Sequence, residues 1–506
     1  MTGRDAIRRA QLRLDGGVRG DEGSGAPPHR SLWLLEALDG PADAAATTGA
    51  DAPPLRGAAR ADVAIVGGGY VGLWTALELK RREPSLEVTV LEGDICGGGA
   101  SGRNGGQIHS WWERLANLAA LCGTEEAVRL ARASEAALDE LEALQERGLD
   151  FDLRRDGWLW TATTPAQLGA WEEVVARAER HGGRPYRHLT AEEVAARTGS
   201  PVHLGGIWEP AGGTVQPAKL ARGLRRLALE AGVTIHEHTR VRSIDPAPAA
   251  PGAASPGALT RLTTGAGGTL DAARVVLAAG AWAAALPAFS RRMFVVASDV
   301  IATRRAPERL DAIGWTDGAA ICDSQMRVLY YQRSADGRVV LGRGGGAVAL
   351  NGRIGRGFER SPRFARDATA AFRRVYPMLS DLAIEQTWSG PVDRTLAHLP
   401  IFGRMEANPS VLYGVGWSGS GVAQSVIGGK ILAGLALDAD DEWSRSGLVD
   451  QPVHTFPPDP IRWAGAQLVR AAVRRNGAAD DAGRRPRWID RRLAALTPAL
   501  PKTEDA

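Results

Sequence analysis

A glycine cluster between an apolar run and a helix-forming run constrains this chain more than any other feature. Residues 61–66, ADVAIV, are rich in β-branched side chains, as is typical of a strand buried on both faces. GGGYVG follows in the spacing G-x-G-x-x-G, and an amphipathic segment continues to Arg82. Its glycines allow a tight turn, close approach to a pyrophosphate, and close packing of helix on strand. The sequence therefore predicts a dinucleotide-binding βαβ unit with cofactor contacts at Gly67, Gly69, Tyr70, Val71 and Gly72.

A carboxylate ends the second strand of this unit. VTVL at 88–91 is the returning strand, and Glu92 lies about twenty residues after Gly72. A carboxylate there can accept hydrogen bonds from ribose hydroxyls, whereas it would repel the 2′-phosphate of NADP. Glu92 therefore favours NAD or FAD, and a glycine turn in some other α/β protein is the alternative.

A second glycine run, CGGGASGRNGGQ at 96–107, follows directly. It indicates backbone packed against something flat or charged, with Arg103 and Asn104 available as donors. GASGRNGGQ resembles the D-amino-acid-oxidase-like (DAO) flavoproteins, most closely their γ-glutamylputrescine oxidoreductase branch, where it passes the pyrophosphate and ring of FAD. The resemblance implies FAD contacts at Gly99, Ala100, Ser101, Arg103, Asn104, Gly105, Gly106 and Gln107.

Three later segments extend the resemblance across about 61–435, most of the chain. They are 212–241, the RVVLAAGAW run at 274–282, and 399–435 with LYGVGWSGSGVAQS. By resemblance, the first places Val241 near adenine and the second places Ala279 and Gly280 near the cofactor. The last implies contacts along the flavin pyrimidine edge from Gly416, Ser418, Gly419, Ser420, Gly421 and Val422.

The expected fold class is α/β, with a Rossmann-like FAD-binding domain and an interleaved substrate domain built on a mainly antiparallel sheet. Strand-like segments between about 290 and 390 support the second sheet, and 246–258 reads as a surface loop. A basic amphipathic helix after 455 is expected to pack on the catalytic domain, with a membrane surface or an acidic partner as alternatives. The predicted boundaries are 1–60 for an N-terminal arm; 61–150, 212–289 and 395–440 for the FAD-binding domain; 151–211 and 290–394 for the substrate domain; and 441–506 for a basic C-terminal extension.

The resemblance implies an enzyme that oxidises the C–N bond of a small amine or amino acid by hydride transfer to flavin N5. Oxygen or another acceptor would then reoxidise the flavin. A flavin-dependent 2-hydroxy-acid dehydrogenase and a flavin-carrying binding or assembly subunit remain alternatives. Trp111, Trp112 and Tyr330 could also wall the substrate pocket, and the catalytic candidates are Trp417, Tyr331 and, for a substrate carboxylate, Arg343.

Departures from the family pattern refine these expectations. Some relatives tether the flavin through a histidine, where this chain aligns Arg103, or through a late cysteine, which WSGPVDRTLAHLP lacks. We therefore expect noncovalent FAD. Sarcosine-oxidase relatives carry a lysine for oxygen activation where Val340 aligns, so a dehydrogenase with another acceptor stays open beside an oxidase. The family's usual histidine in the last glycine loop is replaced by Ser420.

Composition excludes several other classes. With 506 residues, a net charge of +3 and only four lysines, the chain is predicted to form two domains and not to bind nucleic acid. Cys96, Cys122 and Cys322 are too widely spaced for a disulfide framework or a CxxC metal site, and the nine histidines show no HExxH spacing. Cys96 is expected to be a small buried filler. No bound metal, no membrane span and a cytoplasmic location are expected.

Overall fold

Two large β-sheets, with helices packed on them, dominate the computed structural model, which describes residues 12–14, 28–39, 52–246, 259–452 and 454–497. The helices are α1 (Leu32–Asp39), α2 (Tyr70–Arg82), α3 (Leu115–Cys122), α4 (Thr124–Glu146), α5 (Glu172–Arg180), α6 (Ala191–Thr198), α7 (Pro217–Glu230), α8 (Pro307–Ala312), α9 (Pro362–Val375), α10 (Gln424–Ala436), α11 (Ile461–Asp481) and α12 (Trp488–Ala494). The strands are β1 (Leu12–Arg13), β2 (Ala58–Val66), β3 (Val88–Leu91), β4 (Gln107–Ile108), β5 (Trp158–Ala162), β6 (Arg187–Leu189), β7 (Gly205–Glu209), β8 (Gly213–Thr214), β9 (Thr234–His236), β10 (Val241–Pro246), β11 (Thr260–Thr264), β12 (Thr269–Leu277), β13 (Met293–Thr303), β14 (Ala320–Asp323), β15 (Leu329–Arg333), β16 (Val339–Arg343), β17 (Ile384–Thr395), β18 (Ile401–Met405) and β19 (Asn408–Val415).

The glycine-ended strand β2 lies inside the first sheet, whose order is β1-β10-β11-β12-β2-β3-β9, with β19 pairing to β12 and β18. Strands β9, β3, β2, β12 and β19 pair in parallel. Such strands are apolar throughout because both of their faces are covered. Helices α2, α4 and α10 contribute to the core on one face, and residues from 281 to 297 contribute on the other. The Rossmann-like arrangement predicted from the sequence is confirmed.

The second sheet has the order β17-β13-β16-β15-β14-β5-β7-β6 and is antiparallel except where β14 pairs with β5. Side chains alternate between its faces, as in any strand. Helices α6 and α9 pack on one face, and the other faces a cavity shared with the first sheet. The predicted antiparallel sheet is confirmed, while the exact domain boundaries remain a prediction.

The segment predicted as an N-terminal arm contains packed structure. Trp33 and Leu34 of α1 are buried in a cluster with Val300, Val340 and Trp388, and β1 pairs with β10. An apolar helix is most stable when it buries such side chains, which explains its position. The described residues leave out 1–11, 15–27 and 40–51 of the predicted N-terminal arm and 247–258 of the predicted surface loop.

The predicted C-terminal helix is present as α11, followed by the shorter α12. It is held to the second sheet by polar contacts, among them the Trp463 indole N–H donated to the Val348 carbonyl at 3.2 Å. Across the described ranges, no helix combines the length and apolarity that crossing a bilayer requires.

Candidate functional site

A cavity of about 1440 Å³ lies between the two sheets. Its lining includes the turn between β2 and α2, the second glycine run, the loop before α10, the inner face of the second sheet and the C-terminal helices. Pockets for single small molecules usually measure roughly 300–1,000 Å³. The cavity is therefore large enough to suit an extended cofactor together with a substrate.

The three fingerprint glycines are required for different reasons. Gly67 has φ +115°, and a Cβ there would lie 2.5 Å from the Ala278 carbonyl oxygen. A Cβ at Gly72 would overlap the Gly67 carbonyl oxygen, so Gly72 serves helix packing and does not line the cavity. Gly69 lines the cavity beside Ser101, in front of the N-terminus of α2. This turn offers the N–H groups and positive helix end that bind a pyrophosphate.

Glu92 lies at the cavity wall, as the sequence predicted. Its Oε2 accepts from the Gly68 N–H at 2.7 Å, and its Oε1 accepts from the Asp94 N–H at 2.8 Å. Burial raises the pKa of the Glu92 carboxyl to about 7. These two hydrogen bonds fix the carboxyl group at the edge of the cradle.

This pKa predicts a pH-dependent affinity of the apoprotein for FAD. Ribose hydroxyls bind best to the carboxylate form, so affinity should rise as the pH passes upward through about 7 and then level off. Titration of apoprotein with FAD at a series of pH values would show this. Glu92→Gln should remove the pH dependence, and Glu92→Ala should weaken binding about ten- to a hundredfold. A pH profile that Glu92→Gln leaves unchanged would assign the dependence to another group.

The second glycine run packs partly against protein. A Cβ at Gly105 would lie 2.5 Å from the Tyr330 ring, so the flat surface at this glycine is a tyrosine. Gly106 has φ +68° and lies against the Val215 carbonyl, outside the cavity lining. The predicted residues of this run that do line the cavity are Gly99, Ala100, Ser101, Arg103, Asn104, Gly105 and Gln107.

Arg103 and Asn104 hold the run in shape. The Arg103 guanidinium donates to the carbonyl oxygens of Gly98 at 2.9 Å and Ser389 at 3.3 Å. The Asn104 amide donates to the Ser101 carbonyl at 2.9 Å and accepts from the Gly106 N–H at 2.8 Å. Both side chains were expected to donate hydrogen bonds to the cofactor. In the structure, these hydrogen bonds are formed with the protein backbone instead.

The last glycine loop is fixed by Asp393, which the sequence reasoning missed. Its Oδ2 accepts from the Gly416 N–H at 2.7 Å, and its carbonyl accepts from the Ser418 N–H at 2.8 Å. Burial raises the pKa of Asp393 to about 6. Gly416 turns the loop at φ +86° outside the lining. The predicted residues that line the cavity here and in the earlier strands are Val241, Ala279, Gly280, Trp417, Ser418, Gly419, Ser420, Gly421 and Val422.

Tyr331 is on the wrong face of the second sheet to act as a catalytic wall. Its hydroxyl lies 2.9 Å from His203 Nε2, and its ring packs edge-on against Trp315. Because side chains alternate along a strand, Tyr330 faces the cavity instead. Its hydroxyl lies 2.9 Å from the Ser298 hydroxyl.

Arg343 is also turned away from the cavity lining. Its guanidinium donates to Gln325 Oε1 at 3.1 Å and lies 4.0 Å from Asp481. On β16 the neighbouring Gly342 takes the inner face, where a Cβ would overlap the Tyr330 ring.

Three other candidates are buried outside the lining. Trp111 and Trp112 belong to the core of the first sheet, and Val340 packs in the cluster with α1. Val340, which aligns with the oxygen-activating lysine of some relatives, therefore packs against α1 and does not line the cavity. The described lysines do not line the cavity either.

The part of the cavity near β5 contains residues that the sequence did not single out as site residues. Trp158 and Trp160 lie on β5 with ring centroids 6.0 Å apart, and His109 stacks on Trp158 at 4.8 Å. All three of these aromatic residues line the cavity. The same lining includes two arginines, Arg114 and Arg394, together with Glu113, Cys322 and His398.

Arg394 lies near Arg114, and the nearby Asp393 offsets only part of their repulsion. Glu113 Oε1 lies 3.0 Å from Arg114 Nε. No carboxylate among the described residues forms an ion pair with Arg394, whose Nη1 lies 3.4 Å from His398 Nδ1. Burial and repulsion from Arg114 lower the pKa of Arg394 to about 10. An anionic ligand group would offset this cost.

Two of the cysteines are buried and one is half-buried, and all three are free. Cys96 fits the expected filler role, because it lies in the core of the first sheet and burial raises its pKa. In the described part of the chain, no group of three or more His, Cys, Asp or Glu side chains is placed to hold a metal ion.

The glycine cradle, Glu92 and the long cavity fit a bound dinucleotide, and comparison with known proteins agrees. The family model for FAD dependent oxidoreductase (DAO) matches residues 62–435. A probable oxidoreductase OrdL of Rhizobium meliloti is 31% identical over 77% of this chain and 86% of its own length. The γ-glutamylputrescine oxidoreductase of Escherichia coli K12 is 28% identical over 83% of this chain and 91% of its own.

Solved structures show the same fold. The crystal structure of glycine oxidase from Geobacillus kaustophilus superposes with a TM-score of 0.60 at 24% identity, covering 76% of this chain and 96% of that protein. The family match spans the fingerprint, the second glycine run and the last glycine loop, all of which contribute to the cavity lining. From its sequence and its fold, this chain belongs to the DAO family of FAD-dependent oxidoreductases.

Proposed function

We propose that this enzyme oxidises the C–N bond of a small amine or amino acid. The observation that carries the proposal is the continuity of the cavity, which joins the glycine cradle to an aromatic and cationic chamber on the second sheet. Relatives named for γ-glutamylputrescine and glycine support a nitrogen-bearing substrate. The three free cysteines are consistent with the cytoplasmic location that we propose.

The glycine turn and the two later glycine segments would hold FAD. The α2 N-terminus would bind the pyrophosphate, Glu92 the ribose, and the loop from Trp417 to Val422 the flavin ring. Backbone N–H groups at that loop suit the negative charge of a reduced flavin. When bound, FAD supplies a hydride acceptor at N5.

The second sheet would orient the substrate. Tyr330 and Trp158 present apolar surfaces to the cavity, which exclude water from the reacting carbon. Arg394 is our candidate for binding a substrate carboxylate, in place of Arg343, because it lines the cavity without an ion-pair partner among the described residues.

The pH dependence of flavin reduction should follow the substrate. We propose that the neutral amine is the reactive form and that no side chain must remove its proton. Stopped-flow reduction should then accelerate with rising pH, and the apparent pKa should move with the intrinsic pKa of each amine. His109 lines the cavity and is the alternative base. One apparent pKa for every amine, lost in His109→Asn, would replace our mechanism with catalysis by this histidine.

The cofactor should be released when the protein is denatured. The Arg103 position carries no tethering histidine, and burial raises the pKa of the Cys322 thiol at the cavity wall, which keeps it protonated and a poor nucleophile. After acid precipitation, we expect all the FAD in the supernatant. Mass spectrometry that finds flavin on a peptide containing His109 or Cys322 would contradict noncovalent binding.

A further inference from the structure

The C-terminal helices form an apolar wall of the cavity. Ile461, Gly465, Val469 and Val473 recur at helical spacing along α11 and line the cavity, as does Leu493 of α12. The family match ends at residue 435, so this wall comes from the extension of the chain.

The wall is anchored to the second sheet at both ends of α11. At the start of α11, the Arg462 guanidinium donates to the carbonyls of Ser290 and Met293. Near its end, Asp481 accepts from the Gln325 amide at 2.9 Å. These anchors belong to β13, the turn that leads into it, and the turn after β14. They fix α11 across the sheet that carries Tyr330.

The α11 stripe is exposed at Ile461 and Gly465, whereas Val473 near its end is buried. The hydrophobic clusters formed by the described residues include no side chain of α11. A helix in water normally buries its apolar stripe. Here Ile461 at the cavity mouth is 67% exposed, and a Cβ at Gly465 would meet no atom within 4 Å.

Two of the arginines beside this wall are paired with carboxylates. Arg462 pairs with Asp459, and Arg327 pairs with Asp367. The Arg470 guanidinium donates to the Gly346 carbonyl. An incoming group would meet hydrocarbon from Val469 and Val473 of α11 and from Phe294 of β13, with the Arg470 guanidinium also on the lining.

We propose that α11 and α12 form a subsite for the hydrocarbon chain of the substrate, so that the enzyme favours amines with an extended apolar group. The proposal rests on the proposed amine oxidation and specifies its substrate class. Each additional methylene buried in the subsite should tighten binding about two- to fourfold.

The test uses the FAD-loaded full chain and two ligand series, propyl to decyl primary amines and the matching alkyl carboxylates. Anaerobic flavin reduction gives the affinity for each amine. Calorimetry gives the affinity for the carboxylates, which have no C–N bond to oxidise. We expect affinity to rise with chain length in both series.

Gly465→Leu should abolish this rise while leaving the shortest ligands unaffected. The leucine fills open space, and it has a higher helix propensity than glycine. Ala464→Leu is the control, because this residue is exposed and does not line the cavity. It should keep the wild-type slope. Val469→Asp, which places a charge in the same wall, should weaken the longest ligands most.

The proposal is overturned if affinity is independent of chain length in the wild type, or if Gly465→Leu and Ala464→Leu behave alike. It is also overturned if chain length changes only the rate of flavin reoxidation. Failure of every amine to reduce the flavin, with carboxylate binding still rising with length, would reject the proposed reaction and retain the apolar subsite.

Discussion

Gly69→Val is expected to yield a folded protein without FAD. A Cβ at this position would lie 2.9 Å from the Ser101 hydroxyl, which accepts from the Tyr70 N–H at 3.0 Å. The larger side chain would displace this hydroxyl and occupy the space where the pyrophosphate must approach the N-terminus of α2. We expect the ratio of flavin to protein absorbance to fall to background, with the circular dichroism spectrum retained.

Gly357→Val is the matched control for this variant. Gly357 lies outside the cavity lining, and a Cβ there would meet no atom within 4 Å. It should retain its flavin. Full occupancy in Gly69→Val would place the pyrophosphate elsewhere.

Arg394→Leu should selectively impair the oxidation of amino acids. If this guanidinium binds the substrate carboxylate, its removal leaves that anion unpaired in the cavity, and kcat/KM should fall about thirty- to thousandfold. Amines of the same length without a carboxylate should change little, since their positive charge gains nothing from a nearby arginine.

Arg394→Lys separates the contribution of positive charge at this position from the contribution of guanidinium geometry. A lysine keeps the positive charge but loses the fork that binds a carboxylate through two hydrogen bonds, so partial recovery is expected. Equal losses for amines and amino acids would show that Arg394 supports the structure of the loop near Asp393 and does not select the substrate.

Local sequence patterns were sufficient to predict the glycine turn and the carboxylate of the proposed cofactor site. The turn at Gly67 and the carboxylate at Glu92 depend on residues close together in the chain, so spacing alone located them. The last glycine loop was located by its resemblance to the family's C-terminal flavin motif. Its anchor Asp393 was missed because it lies on β17 of the second sheet, so its hydrogen bond to Gly416, just after β19 of the first sheet, follows no local spacing rule.

The substrate half required three-dimensional information. Tyr330 and Tyr331 are adjacent, and the sequence cannot tell which of them faces the cavity when the strand is covered on both sides. Arg394 and Trp158 lie on different strands of the second sheet and meet at the cavity only through its topology. The helix after 455 was predicted, but its apolar stripe toward the cavity depends on how α11 packs.

Anaerobic reduction of the purified flavoprotein tests the central claim most directly. The protein would be mixed, without oxygen, with a panel of amines and amino acids and with a matched panel of 2-hydroxy acids, and the loss of flavin absorbance would be recorded. Our account predicts bleaching by members of the amine or amino-acid panel and none by the hydroxy acids. Bleaching by the hydroxy acids alone would contradict oxidation of a C–N bond.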